Sequence, residues 1–323
     1  MNADPVKSSV HSAGMHLSKS PLIPTVVDNK GKQDIWRSVG AGLAACTLMF
    51  SMKPAYGFQP GGRLLATGGV TQIEGAAGGG LVPWALIAGY GTRNQVGATI
   101  FYTQANPSDF SLSIKGMALG LFDRVELSVA EQQFGLGSTV PGRTIRQEVV
   151  GIKLKLTGDA IFDQDNLLPQ IAAGLQFKNN QDFDPVPRAL GARRSSGIDF
   201  YVAATKLYLG AVWGRNLLLN GTLRATKANQ MGILGFGGDL SDSYGLHFES
   251  SAALFLNDNL LIGAEYRHKP NNLSVFKENA YRDFFLAYLP NKYLAMTAAY
   301  ALLGNIANKP DQKALYISLQ LGF

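Results

Sequence analysis

The sequence predicts an all-β chain: a transmembrane antiparallel up-and-down β-barrel of about fourteen strands, with twelve as the alternative, preceded by a signal peptide. Three observations predict it. Hydrophobic residues make up 46% of the chain and charged residues only 16%, yet no apolar run reaches the ~20 residues that a spanning helix needs. Past Gly57 the chain repeats one unit, about ten residues of alternation, a short turn, another such stretch and a longer loop, as membrane barrels do. The chain closes on ALYISLQLGF, where Leu315, Ile317, Leu319, Leu321 and Phe323 alternate with Ala314, Tyr316, Ser318, Gln320 and Gly322. In an open sheet that stretch would be an exposed edge, whereas in a barrel it pairs with the first strand.

Residues 1–57 read as an export leader, and residues 58–323 as the barrel. SVGAGLAACTLMF, residues 38–50, follows Lys30, Lys32 and Arg37 and precedes Ala55-Tyr56-Gly57. A basic region, a short apolar stretch and a small-x-small site make a secretory signal cleaved near Gly57. A buried helix of a soluble protein is the alternative. Residues 1–35 are polar and aperiodic and read as disordered, with the true start downstream, near Met15. Cys46 is the only cysteine, so no intrachain disulfide forms. It ends LAAC, which resembles a lipoprotein box, but the apolar run continues through TLMF and argues against lipidation. The leader carries six of the 29 Lys and Arg and three of the 23 Asp and Glu, which leaves a formal charge of +3 on 58–323. The sequence pI of 9.3 is therefore partly the leader's. With the remaining basic residues scattered, no nucleic-acid partner is expected.

Taken in order, strands are expected near 63–75, 81–92, 95–105, 110–121, 125–135, 146–157, 169–178, 198–207, 215–226, 245–256, 259–268, 281–289, 293–303 and 313–323. GTRNQVG, LFDRVEL, LNDNLL and LPNKYL sit between alternating apolar flanks, as hairpin turns do. Long connections fall at 135–146, 179–197, 227–245 and 269–280. With the first strand starting in the periplasm, those turns lie on the periplasmic side and all four long loops lie outside. Six glycines and one proline leave the register of 63–84 open, so twelve strands are the alternative count.

Alternation also assigns faces. A charge facing lipid at mid-depth costs about 2–4 kcal/mol, so charged positions point inward. Lys153 and Lys155 then face the lumen while Val150, Ile152, Leu154 and Leu156 face lipid; Glu126 is inward beside outward Val125 and Leu127. Glu265 and Arg267 are inward beside Ile262, Ala264 and Tyr266, and the same rule sends Lys115, Asp199, Asn220, Arg224, His247 and Glu249 to the lumen. Both signs are nearly balanced, which fits ion pairing across the lumen as well as permeant binding, and not a ring of one sign. Gly97, Ala172, Gly174, Ala203, Ala295, Thr297 and Ala299 leave volume inside. FQPGGR, at the mature amino terminus, is too short for a plug. A constriction is therefore expected from a loop, with 179–197 the candidate through Arg188, Arg193 and Arg194. Trp84, Tyr90, Tyr102, Tyr288, Tyr293 and Tyr300 suit an interfacial girdle.

Signals for chemistry are weak. HFESS, 247–251, places His247, Glu249 and Ser251 on one strand face, but neighbours ~7 Å apart are too far for a nucleophile–base contact. GGDLSDSYG, 237–245, lacks the closing bidentate Glu of a calcium loop. GLGSTVPG, 135–142, has the wrong glycine spacing for dinucleotide binding. No catalytic, metal or cofactor residue is expected.

GGRLLATGGVTQIEGAAGGGLVPWALIAGYG (61–91), GLFDRVELS (120–128) and GRNLLLNGTLRATKANQ (214–230) resemble a proteobacterial family catalogued only as a domain of unknown function, number three thousand and thirty-four. The resemblance covers 58–323 and implies an exported outer-membrane barrel with no assigned activity. It adds no site residues, and the long leader departs from it. The expectation is a porin-like monomer in the outer membrane of a Gram-negative bacterium, surrounded by outer-membrane lipids and passing an unidentified small solute. A closed structural or adhesive barrel acting through its outer loops is the alternative, with an outer-membrane hydrolase less favoured. The final Phe323 also resembles the signal read by the outer-membrane barrel assembly machinery. Deleting Phe323 alone should lower the outer-membrane level of the protein more than its lost burial accounts for. Normal insertion, measured by membrane fractionation, would reject the signal.

Overall fold

The computed structural model describes Met1 and residues 61–323; the signal peptide, the cleavage near Gly57 and Cys46 lie outside the described residues. Two short strands, β1 (Val70–Thr71) and β2 (Ala77–Gly78), pair only with each other. The wall follows: β3 (Val96–Pro107), β4 (Ser111–Leu121), β5 (Val125–Gly135), β6 (Thr144–Thr157), β7 (Gln170–Asn180), β8 (Ser196–Val212), β9 (Arg215–Thr226), β10 (Gly245–Phe255), β11 (Leu260–Arg267), β12 (Tyr281–Asn291), β13 (Leu294–Ile306) and β14 (Lys309–Gly322). Each pairs antiparallel with its chain neighbours, and β14 closes the barrel on β3 from Ala314↔Pro107 to Gly322↔Thr99. Phe323 extends that closure, exchanging backbone hydrogen bonds with Ala98 at 2.8 and 3.1 Å.

The barrel therefore has twelve strands, the alternative count. The stretches 63–75 and 81–92 are not in the wall. Removing a consecutive pair leaves parity unchanged, so the two rims are sorted as expected. One rim carries the tight turns 122–124, 213–214, 256–259 and 292–293; the other carries the long connections 136–143, 181–195, 227–244 and 268–280, together with the short turns 108–110 and 307–308. We call these the turn rim and the loop rim. One longer connection, 158–169, lies on the turn rim. Its carbonyls at Asp159, Asp163 and Leu168 accept from Lys206 Nζ at 3.3, 2.5 and 3.5 Å, which satisfies a lysine on an outward-facing position.

Period-two alternation sets the faces. Val150, Ile152, Leu154, Leu156, Phe200, Val202, Leu219, Phe284, Leu286, Leu315 and Ile317 stand on the outer surface, and Lys153, Glu126, Thr205 and Ser318 point inward. Tyr102, Tyr288, Tyr293 and Tyr300 are exposed on the outer wall, as a girdle requires. Trp84 and Tyr90 are instead buried inside the barrel. Among the described residues no helix is long and apolar enough to cross a membrane.

An outer belt of this kind is a lipid-facing surface. Replacing Ile152 by Lys should destabilise the protein in lipid by about 2–4 kcal/mol, read from urea unfolding in liposomes. An unchanged midpoint would mean that this face does not meet lipid.

Candidate functional site: the occupied lumen

Residues 61–91 fill the lumen. Both ends of this segment sit at the turn rim: the Gly62 amide donates to Gln95 Oε1 at 3.0 Å, the Arg63 amide to the Tyr90 carbonyl at 3.3 Å, and Lys292 Nζ to the Gly61 carbonyl at 3.0 Å. Between them the chain rises to a hairpin tip at 72–76, flanked by β1 and β2, and every residue from Thr67 to Gly91 is buried. Its glycines permit this. Gly75 turns the tip at φ +97°, and a Cβ on Gly79 would lie 2.1 Å from Glu265 Oε1. Of the small wall residues expected to leave space, Ala172 and Ala203 give theirs to the plug, where Ala85 packs on them and on Tyr201, whereas the space at Gly174 is taken by the Tyr201 ring of the wall. The expected plug-free lumen is thus corrected, because the glycine-rich stretch that lacks clean alternation turns inward instead of joining the wall.

Predicted lumen residues hold the plug by its backbone. Lys153 Nζ donates to the carbonyls of Ala77 at 2.9 Å and Leu86 at 2.8 Å and pairs with Glu126 at 3.1 Å. The Glu126 carboxylate in turn accepts the amides of Ala77 at 3.1 Å and Ala88 at 2.9 Å. Glu265 accepts the Leu81 amide and the Ser251 hydroxyl, each at 2.6 Å. Asn220 Nδ2 and Thr222 Oγ1 donate to the Pro83 carbonyl, and Trp84 Nε1 donates to Ser251 Oγ. Ser251 of HFESS is engaged by Trp84 and Glu265, and Glu249 by Arg224 and Arg267, so the two do not meet as a nucleophile and base.

Closer to the loop rim, six charges meet. Glu74, on the plug tip, accepts from Arg267 Nη1 at 2.7 Å and Nη2 at 3.1 Å and pairs with Lys178, with Arg224 at 3.7 Å. Asp199 pairs with Lys178 at 2.5 Å and Arg224 at 3.4 Å; Glu249 pairs with Arg224 at 2.6 Å and Arg267 at 3.2 Å. Sequence reasoning placed Asp199, Arg224, Glu249 and Arg267 inward but missed Glu74 and Lys178. Parity on β7 was signal enough for Lys178. For Glu74 the signal was its standing as the only charge between Arg63 and Arg93.

Other predicted residues lie elsewhere. Lys155 pairs with Asp123 at 3.0 Å at the turn rim. His247 Nδ1 lies 2.7 Å from His268 Nδ1 at the loop rim. Lys115 is on the outer face, 3.2 Å from Glu131, because the inward positions of β4 are Leu112, Ile114 and Ala118. Arg188, Arg193 and Arg194 stay more than half exposed, paired with Asp184 and Asp242, so 181–195 does not enter the lumen.

The connection 227–244 enters instead, with residues 228–238 buried in the mouth. Its MGILGF run is apolar where 181–195 is arginine-rich, so burial favours it. Met231, Ile233 and Leu234 join a core with Leu112, Phe134, Ile73 and Leu81. The Met231 carbonyl accepts from Gln147 Nε2 at 3.1 Å and the Ile233 carbonyl from Asn180 Nδ2 at 2.6 Å. Gln230 and Met231 adopt left-handed φ of 47° and 61°, strain that these contacts hold in place.

Fold and site together define a β-barrel closed by its own amino-terminal segment. The chain belongs to the family described as "Protein of unknown function (DUF3034)", whose sequence profile matches residues 67–320. That match includes the plug from Thr67 onward. No curated protein matches. Among solved structures, the chain is similar to the KdgM porin, with TM-score 0.46 and 11% identity over 70% of this chain and 99% of that one. It is also similar to the NanC porin, at TM-score 0.45 and 10% identity over 69% and 98%. Omp33 of Acinetobacter baumannii gives TM-score 0.40 and 10% identity over 70% and 97%.

Lys269, just past β11, ties the buried stretch 228–238, the lid of the loop-rim mouth, to the wall. Its Nζ donates to the carbonyls of Leu303 and Asn305, each at 2.8 Å, pairs with Glu278 at 3.2 Å, and lies 4.0 Å from the centre of the Tyr281 ring. Glu278 accepts from Gln230 Nε2 in turn. Burial pushes Lys269 down to about 8 and Glu278 up from its usual range. A lysine lowered in the folded state binds fewer protons there than when unfolded, so its contribution to stability grows as pH rises from about 8 toward its ordinary value. The raised glutamate contributes the opposite slope, losing stability as pH climbs above its unfolded pKa. Amide-exchange protection of 230–236, corrected for intrinsic rates, should therefore be lowest near neutral pH and higher on both sides. A profile unchanged in Lys269→Met would overturn this assignment.

Proposed function

We propose that the chain, once its leader is removed, is a monomeric channel for small solutes in the outer membrane of a Gram-negative bacterium, kept closed by residues 61–91. The outer apolar belt and tyrosine girdle support the location, and the clustering of long connections supports a loop rim facing the outside. The observation that carries the channel reading is the inner wall itself. Lys153, Glu126, Thr205, Gln170, Asn220 and Glu265 bond the plug mainly through its backbone, and water can satisfy the same groups if the plug leaves. A barrel needing only to stay shut would be held more simply by an apolar filling, which leaves no polar group to satisfy. Both plug ends lie at one rim, so the hairpin can withdraw into the periplasm without threading the wall.

A second reading, a sealed barrel acting through its outer loops, is favoured by the lid at the opposite mouth. Single-channel recording in planar bilayers separates the two. Lys153→Met removes the donor to the Ala77 and Leu86 carbonyls and leaves Glu126 buried without its counter-ion. Breaking such a pair costs about 3–5 kcal/mol, so the open population should rise by at least ~100-fold. Inserted protein that stays silent in wild type, in Lys153→Met and after deletion of 228–238 would favour the sealed barrel.

A further inference from the structure

The anion on the plug tip is placed as a ligand would be. Arg267 presents Nη1 and Nη2 side by side to the two oxygens of Glu74, the forked geometry by which a guanidinium reads a carboxylate. Lys178 pairs with the same carboxylate, Gln72 Nε2 donates to it at 2.6 Å, and Arg224 flanks it at 3.7 Å. Apart from Gln72 these groups belong to the wall, not to the plug. The wall itself contributes Lys178, Arg224 and Arg267 against Asp199 and Glu249, a surplus of one positive charge, which Glu74 cancels. All six side chains are at most 4% exposed.

We propose that Lys178, Arg224 and Arg267 form a carboxylate-binding site in the lumen, and that Glu74 occupies it in the closed state in place of a carboxylate carried by the solute. The second half rests on the channel reading; the first does not. The charge balance also sets selectivity. One monoanionic group neutralises the site, whereas a phosphate dianion leaves an excess negative charge beside Asp199 and Glu249, and a neutral amide leaves the surplus cation uncompensated. Tethering gives Glu74 a high effective concentration, so a free monocarboxylate competes only when abundant or when other parts of the solute displace plug contacts.

Removing the Glu74 carboxymethyl group leaves room for acetate, and this gives the test. In purified full-length Glu74→Ala, 100 mM acetate should raise the melting midpoint by about 5 °C relative to equal acetamide, chloride or phosphate. Wild type and Glu74→Gln, whose side chains fill the place, should show no such difference. Adding Arg267→Gln to Glu74→Ala should abolish the acetate effect. Should Glu74→Ala fold poorly, the readout becomes the yield of the heat-modifiable folded form, which acetate should restore at least twofold over acetamide. Acetate acting no better than acetamide or chloride on either measure, or acting equally well without Arg267, overturns the site. The assay needs no conduction, so an electrically silent barrel would defeat the channel reading while leaving this result to stand by itself.

Discussion

Six charged side chains meet in the lumen near the loop rim, and solvent scarcely reaches any of them. Removing a charge from water is costly enough that such a group persists only with partners of opposite sign and with its remaining hydrogen bonds made. Here the wall supplies five charges from β7 to β11 and the plug supplies the sixth. The plug tip therefore has one place where it fits, and much else follows. Gly75 must turn sharply there, the two limbs must run back toward one rim, and the wall beside them must be built of small residues such as Ala172 and Ala203.

Below that cluster the contacts change character. Lys153 and Glu126 act on the plug backbone as one unit, the amine holding two carbonyls and the carboxylate two amides. Side chain to backbone bonding of this sort tolerates sequence change in the plug and fixes its path. Above the cluster an apolar layer forms, with Phe110 stacked on Phe134 at 5.1 Å between ring centres and the lid side chains packed beside them, and Gln147 and Asn180 bond the lid backbone. The polar layer sets where the plug sits; the apolar layer joins it to the lid.

How much of this was legible follows from what period-two alternation measures. It reports which face of a strand meets lipid, so all twelve wall strands and the rim asymmetry could be read directly. It says nothing of a segment that meets no lipid. Residues 63–92 are rich in apolar residues, but the intervals of three between Val70 and Ile73 and five between Leu81 and Leu86 break period two, and with the glycines and the solitary Glu74 they mark a segment outside the wall. Lys115 fails for a related reason. The rule that charges point inward holds at lipid depth, but near the loop rim the outer face is polar, and Lys115 pairs there with Glu131. The arginines of 179–197 favour solvent, whereas a segment entering a packed mouth is marked by apolar residues, as in MGILGF.

Plug and lid are not independent closures. Ile73 and Leu81 of the plug face Met231 and Ile233 of the lid across a cavity of about 60 Å³, which Tyr316 and Asp283 also line. Asp283 Oδ1 is buried and makes no hydrogen bond within the protein, whereas the Tyr316 hydroxyl lies within reach of the Ser318 and Thr103 hydroxyls. A buried carboxylate oxygen without a partner beside a packing gap leaves dispersion contacts and hydrogen bonds incomplete at this junction. Movement of the plug tip strips the lid of the apolar surface under Met231, and lifting the lid strips Ile73 of its cover. Withdrawal of the one therefore lowers the cost of displacing the other, and a closure secured at both mouths can still open as one event.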